Sequence, residues 1–260
     1  MCGLIVTTLV AACAASPTAA FPKAGASSSP TSPTPAAAAP APRAPAITAP
    51  AATPSGKAPA AAVPSSAAAR GSALAAADRL TVKGRAPLTG YSRAQFGPAW
   101  ADVDHNGCDT RNDVLRRDLR RIALRPGTHG CIVLGGVLLD PYTGATIAFV
   151  RGVGTSSRVQ IDHVVALADA WQKGAQRWTA ARRLAFANDP LNLLAVSGKA
   201  NQQKGAGDAA TWLPPRRAYR CAYVARQVAV KTRYGVWVTA AERAAMLRVL
   251  TSCPDQPLPR

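Results

Sequence analysis

Three observations predict an α+β fold stabilised by disulfides. Apolar, β-branched runs bounded by turn residues read as strands, Thr110, Thr179 and Thr239 stand where helices begin, and four cysteines fall in the part of the chain able to build a core.

Composition divides the 260 residues into three parts. Residues 1–20 read as a signal peptide or lipoprotein signal, because the apolar run from Leu4 to Ala12 is followed by small residues and is too short to span a bilayer. Val10-Ala11-Ala12-Cys13 resembles a bacterial lipobox, which would make Cys13 a lipid anchor; the alternative is cleavage between Ala12 and Ala20 and free secretion. Residues 21–77 are almost entirely Ala, Pro, Ser, Thr and Gly, with no carboxylate, and read as a disordered tether. Residues 78–260 are the folded domain, expected to be monomeric and to contain no transmembrane helix. A secreted or extracytoplasmic location follows.

Setting aside Cys2 and Cys13, the domain holds Cys108, Cys131, Cys221 and Cys253. Three pairings are formally possible. Cys108 with Cys131 and Cys221 with Cys253 are favoured because each pair brackets a local supersecondary unit. A zinc site of four thiolates is the competing reading, against which none of the spacings is that of a zinc knuckle.

The formal net charge is +18, and only four of the 31 basic residues precede Asp78, so most of the excess lies in the domain. An excess of this size points to a polyanionic partner, either nucleic acid or an anionic envelope polymer. A plain arginine-rich bias would give the same charge.

The elements follow in order. Thr110-Arg111-Asn112-Asp113 has the capping-box pattern with Thr110 as N-cap, opening a short helix through Leu119. Beyond Arg125-Pro126-Gly127 the chain turns extended, and residues 131–134 with 137–139, then 145–150, flank the turn Asp140-Pro141-Tyr142-Thr143-Gly144 as a hairpin. Residues 159–165 form the next strand. Residues 167–173 and 180–187 read as helices separated at Gly174, with Thr179 capping the second and Asn188-Asp189-Pro190 ending it. Residues 191–196 form a short strand, and Ser197 caps a helical turn through Asn201 toward Lys204. A helix over residues 217–233, then a second opened by Thr239-Ala240-Ala241-Glu242 and reaching Leu250, make a C-terminal helical hairpin.

Asp162-His163 in a strand, a long connection, a second strand and Asn201 on the next helix follow the order of a ββα-metal nuclease. Asp162-His163, Asn188-Asp189-Pro190-Leu191-Asn192-Leu193 and Asn201-Gln202-Gln203-Lys204-Gly205 together resemble the HNH endonuclease superfamily, and within it the DUF1524 branch related to the C-terminal domain of GmrSD-type restriction enzymes. The similarity extends from about Tyr91 to Cys253 and includes Cys108-Asp109-Thr110-Arg111-Asn112-Asp113 and the turn at Asp140. It implies a ββα-metal (HNH, His-Me finger) core to which the β-hairpin and the helical hairpin are additions. It also implies hydrolysis that leaves a 5′-phosphate and a 3′-hydroxyl. The span from His163 to Asn192 is longer than in a minimal HNH motif.

The residue types suit that chemistry. Asp162 and Asn201 offer a carboxylate and an amide oxygen to one divalent metal, Mg²⁺ with Mn²⁺ as the alternative, and His163 can deprotonate the attacking water. The resemblance assigns the same roles and gives Asn192 the task of holding the connection and the imidazole. Lys204, one turn beyond Asn201, is placed to contact a phosphate. Neighbouring residues of a regular strand point to opposite faces, so irregular backbone is expected at Asp162 and His163.

Blander readings stand beside these. An Asp-His pair is often only a surface hydrogen bond, and His105 and His129 fall in loops and suit solvent. Trp171, Trp178 and Trp212 suit packing better than base stacking, and Arg182, Arg183, Arg216 and Arg217 suit either a solvated face or a phosphate track. Asp102, Asp104, Asn106, Gly107 and Asp109 are spaced like the first half of a calcium loop, but the only Glu of the chain is Glu242, so an Asx-rich turn is favoured. The sequence therefore predicts an exported endonuclease acting on nucleic acid, most simply nonspecifically on DNA because no base-reading element is evident. The alternative is a noncatalytic envelope protein that binds anionic polymers and calcium.

Overall fold

The computed structural model describes residues 72–259. The expected signal segment, Cys13 and residues 21–71 of the expected tether lie outside the described residues.

Order begins earlier than composition suggests. Helix α1 (Ala73–Asp78) is capped by Ser72, whose hydroxyl accepts from the Ala75 amide at 3.3 Å, and Ala73, Ala76 and Ala77 are buried against the C-terminal helices. The expected boundary at residue 78 is corrected by these few residues. Alanine is the strongest helix former and lets helices approach closely, so the same composition that reads as tether also serves as a packing face.

Helix α2 (Thr110–Asp118) starts one residue away from the predicted cap. Asp109 is the N-cap, its carboxylate accepting from the Asn112 amide at 2.8 Å, while Thr110 donates its hydroxyl to the Ala101 carbonyl. The chain then enters β1 (Leu119–Leu124), β2 (Val133–Leu139) and β3 (Thr146–Val150), an antiparallel sheet in that order. The sequence reading had only the β2–β3 hairpin. Only Leu119 of β1 is buried, and its pairing is irregular between Arg120 and Ala123, so it lacks the alternation that marks a half-buried strand.

A second sheet pairs β4 (Val159–His163) antiparallel with β5 (Leu193–Ser197). Their connection carries α3 (Leu167–Gln172) and α4 (Ala180–Asn188), and α5 (Gly198–Lys204) follows β5 directly. The C-terminal hairpin is α6 (Arg220–Tyr234) and α7 (Ala240–Thr251), with Gly235 in the left-handed region between them at φ 63°. Strand β5 feeds two cores and β4 one of them. Val159, Ile161, Leu193 and Ala195 pack with Val114 and Leu115 of α2, whereas Leu194 and Val196 pack with Tyr142, Tyr223 and Val224.

Two disulfides close the fold, Cys108–Cys131 and Cys221–Cys253. The favoured pairing is thus the one present, and the four-thiolate zinc reading is excluded. The first joins the loop before α2 to the approach to β2; the second joins the start of α6 to the residues just beyond α7.

Beneath α7 lies a buried ionic cluster. Lys173 contacts Asp169 at 2.5 Å, Asp208 at 2.9 Å and Glu242 at 2.5 Å, while Lys231 contacts Asp169 at 3.1 Å and Glu242 at 2.9 Å. Arg85 reaches Asp169 and Asp208 from the rim. Thr239 caps α7 through the Glu242 amide at 3.1 Å, but the Glu242 carboxylate turns inward to the lysines instead of completing a capping box.

Candidate active site

Strand alternation decides which way Asp162 and His163 face. Asp162 pairs with Leu194 and Gln160 with Val196, so these four share the face covered by α5 and α6; His163 pairs with Leu193 and shares the opposite face with Ile161. The register is unbroken from Val159 to His163, which corrects the expectation of irregular backbone there. The strand instead ends at His163, and that termination lets both side chains border one cavity.

Helix α5 lies close against β4. Ser197 caps it by accepting from the Ala200 amide at 3.4 Å, and a Cβ on Gly198 would lie 2.1 Å from the Ser157 carbonyl oxygen. Only glycine allows that approach. Asn201 then donates to the Gln160 side-chain oxygen at 2.9 Å, and Lys204, buried, donates to Asp162 Oδ1 at 2.9 Å and to the His163 carbonyl at 2.8 Å. Lys204 is therefore turned inward, away from any phosphate-contacting position.

The other oxygen of Asp162 accepts from the Tyr142 hydroxyl at 2.5 Å. Burial pushes the Asp162 carboxyl above the usual carboxylate range, while Lys204 and the Tyr142 bond pull it back. His163 is buried too, and its Nε2 lies 2.9 Å from the Ala187 carbonyl oxygen. Burial, reinforced by the nearby Arg93 and Lys204 charges, holds its pKa down at about 4 against the bond to Ala187. The imidazole is thus neutral at neutral pH. A carbonyl only accepts, so Nε2 carries the proton and Nδ1 is left as the proton acceptor.

Asn192 is wholly buried and clamps the chain leaving β4. Its side-chain oxygen accepts from the Val165 amide at 2.8 Å, and its nitrogen donates to the carbonyls of Val165 and Phe186 at 3.3 and 3.4 Å. It touches the backbone beside His163 and not the ring, which Ala187 holds. Tyr142, Gln160 and the Ala187 carbonyl were missed in the sequence: Tyr142 stood there only as a turn residue, and a backbone carbonyl has no residue type to announce it.

A cavity of about 330 Å³ is bordered by Gln160, Asp162, His163 and Asn201. Its donor set fits a divalent cation that keeps most of its water. Asn201 has its side-chain oxygen free of hydrogen bonds among the described residues, and each Asp162 oxygen retains a second lone pair beyond its bond to Lys204 or Tyr142. Among the described residues no three His, Cys, Asp or Glu side chains gather as a closed metal cage.

Elsewhere, His105 and His129 are exposed in loops, and in an Asx-rich turn Asp102 accepts from the Asn106 and Gly107 amides, Asp104 from the Asn106 amide and the Asn106 side chain from the Cys108 amide. Trp171, Trp178 and Trp212 pack against neighbouring aromatic rings. Arg182 and Arg183 donate to the backbone carbonyls of Tyr234, Gln95 and Trp178.

Fold and site together define a disulfide-bonded α+β domain that brings a carboxylate, an imidazole and an amide to one end of a two-stranded sheet. Residues 109–249, more than half of the chain, match the family of GmrSD restriction endonucleases, C-terminal domain, and the chain belongs to that family. It is also 39% identical over 176 residues to an uncharacterized secreted protein of Arthroderma benhamiae, a match covering 67% of this chain and 81% of that one. No solved structure matches it. No helix among the described residues is long and apolar enough to cross a membrane.

Proposed function

We propose that this protein is an exported, metal-dependent endonuclease of the HNH type that hydrolyses phosphodiester bonds, on DNA and without sequence specificity. The observation that carries this reading is the state of His163: a buried, neutral imidazole whose Nε2–H is engaged by Ala187, bordering the same cavity as Asp162 and Asn201. Asp162 and Asn201 would hold the metal, Mg²⁺ or Mn²⁺, which when bound neutralises the phosphate and eases departure of the leaving oxygen. His163 Nδ1 takes the proton of the attacking water, and Ala187 keeps the ring aimed. Lys204 and Tyr142 fix the Asp162 carboxylate, and Asn192 fixes the chain behind it; all three act as positioning residues. Membership in a restriction-endonuclease family supports the reaction class, and the secreted relative together with two disulfides supports export.

Nicking of supercoiled plasmid by the folded protein with Mg²⁺ or Mn²⁺, abolished by EDTA, is the expected result. Plasmid and single-stranded DNA both left intact with every metal would overturn the nuclease reading and leave a protein that binds anionic polymers.

A further inference from the structure

A second cavity borders His163 and has no part in the chemistry above. We propose that it receives the base of a nucleotide flanking the cleaved phosphodiester, so that the substrate is single-stranded or locally unpaired nucleic acid. This proposal rests on the nuclease reading.

The cavity measures about 270 Å³ and is bordered by Arg93, Phe96, Pro98, Trp100, His163 and Asn188. It shares Arg93, His163 and Leu167 with the polar cavity of Asp162 and Asn201, so a chain held there has its next residue within reach of this one. Its character differs. Phe96, Pro98 and Trp100 make the walls apolar, and the Trp100 ring is nearly parallel to the His163 ring, 13° between planes with centroids 6.3 Å apart. A half-buried indole offers a stacking surface to any base, because every base has a π-face.

Two polar groups fit the same occupant. Asn188 is buried; its side-chain nitrogen donates to the Leu184 carbonyl at 3.0 Å, while its side-chain oxygen has no hydrogen-bond partner among the described residues and can accept from a base N–H. Arg93 is exposed, has no carboxylate partner among the described residues, and stands where the two cavities meet, as a phosphate between two nucleosides would require. The segment is braced from behind. Gly97 has φ 82° and a Cβ there would lie 2.7 Å from Leu184, so the turn carrying Trp100 sits directly on α4. Arg93, Phe96, Pro98 and Trp100 precede the family match at 109–249, so that wall of the slot comes from the preceding segment, whereas His163 and Asn188 on the other wall lie within the match. A base stacked within a duplex has both faces covered and cannot enter; an unpaired one can.

The test is fluorescence anisotropy in EDTA with a short single-stranded oligonucleotide and its fully abasic counterpart of equal charge. Wild type should bind the base-bearing strand about tenfold tighter, the worth of one stack. Trp100→Ala should remove that preference without weakening the abasic strand, Trp100→Phe should keep most of it, and thermal unfolding should show both variants folded. Arg93→Gln should weaken both strands alike. Equal wild-type affinity for the two strands, or equal loss on both with Trp100→Ala, overturns the proposal. Preference without cleavage under any metal defeats the nuclease reading and leaves the slot; cleavage without preference does the reverse.

Discussion

His163 Nε2 and the Ala187 carbonyl oxygen stand 2.9 Å apart, linking the end of β4 to the end of α4. The contact sets the tautomer of the ring, and burial sets its charge.

A pH dependence follows from that charge. With a pKa of about 4, against an ordinary 6.5, His163 is already the free base across neutral pH, so activity limited by it should rise through about pH 4 and be flat above about pH 6. For stability the sign is the opposite of a salt-bridged histidine: the unfolded chain takes the proton first, so the contribution of His163 is complete above pH 6.5 and lost as pH falls toward 4. The size is about 3 kcal/mol. Urea unfolding of wild type and His163→Gln at pH 7 and pH 4.5 measures it as a difference.

Tyr142→Phe keeps the ring against Trp212 and Tyr223 and deletes only the hydroxyl on Asp162. Stability should fall by about 1–3 kcal/mol, because a buried carboxylate loses a donor. Chemical denaturation checks this, and nicking activity should fall with it if Asp162 needs to be held.

The ionic cluster predicts a larger loss. Glu242→Gln leaves Lys173 and Lys231 sharing Asp169 and Asp208 with one carboxylate fewer in a buried site. About 3–5 kcal/mol should be lost, read as a lowered urea midpoint at unchanged slope.

Replacing Cys221 and Cys253 together by serine should cost about 2–4 kcal/mol, since the bridge closes a loop between residues 32 apart. The two helices stay packed through their own core, so the variant should still fold, with a lower melting temperature by calorimetry.

Much of this was legible in the chain itself. Thr179, Ser197 and Thr239 cap the helices their positions announced, and the two disulfides join the cysteines that bracket local units. Asp162, His163 and Asn201 come to one cavity because strand, strand and helix follow in the order their motifs imply. What was hidden depends on long-range packing. β1 carries no alternating pattern, Glu242 was needed by two distant lysines more than by its own helix, and Lys204 found Asp162 inside where a phosphate contact had been expected. Trp100 and Arg93 gave no periodic signal at all; only the folded chain sets them beside His163.

Nicking of supercoiled plasmid in Mg²⁺ by His163→Ala, compared with wild type at equal folded concentration, tests the catalytic role of the imidazole most directly. Loss of a general base predicts a rate at least about 100-fold lower with the melting curve still cooperative. Cleavage by His163→Ala at the wild-type rate would contradict it.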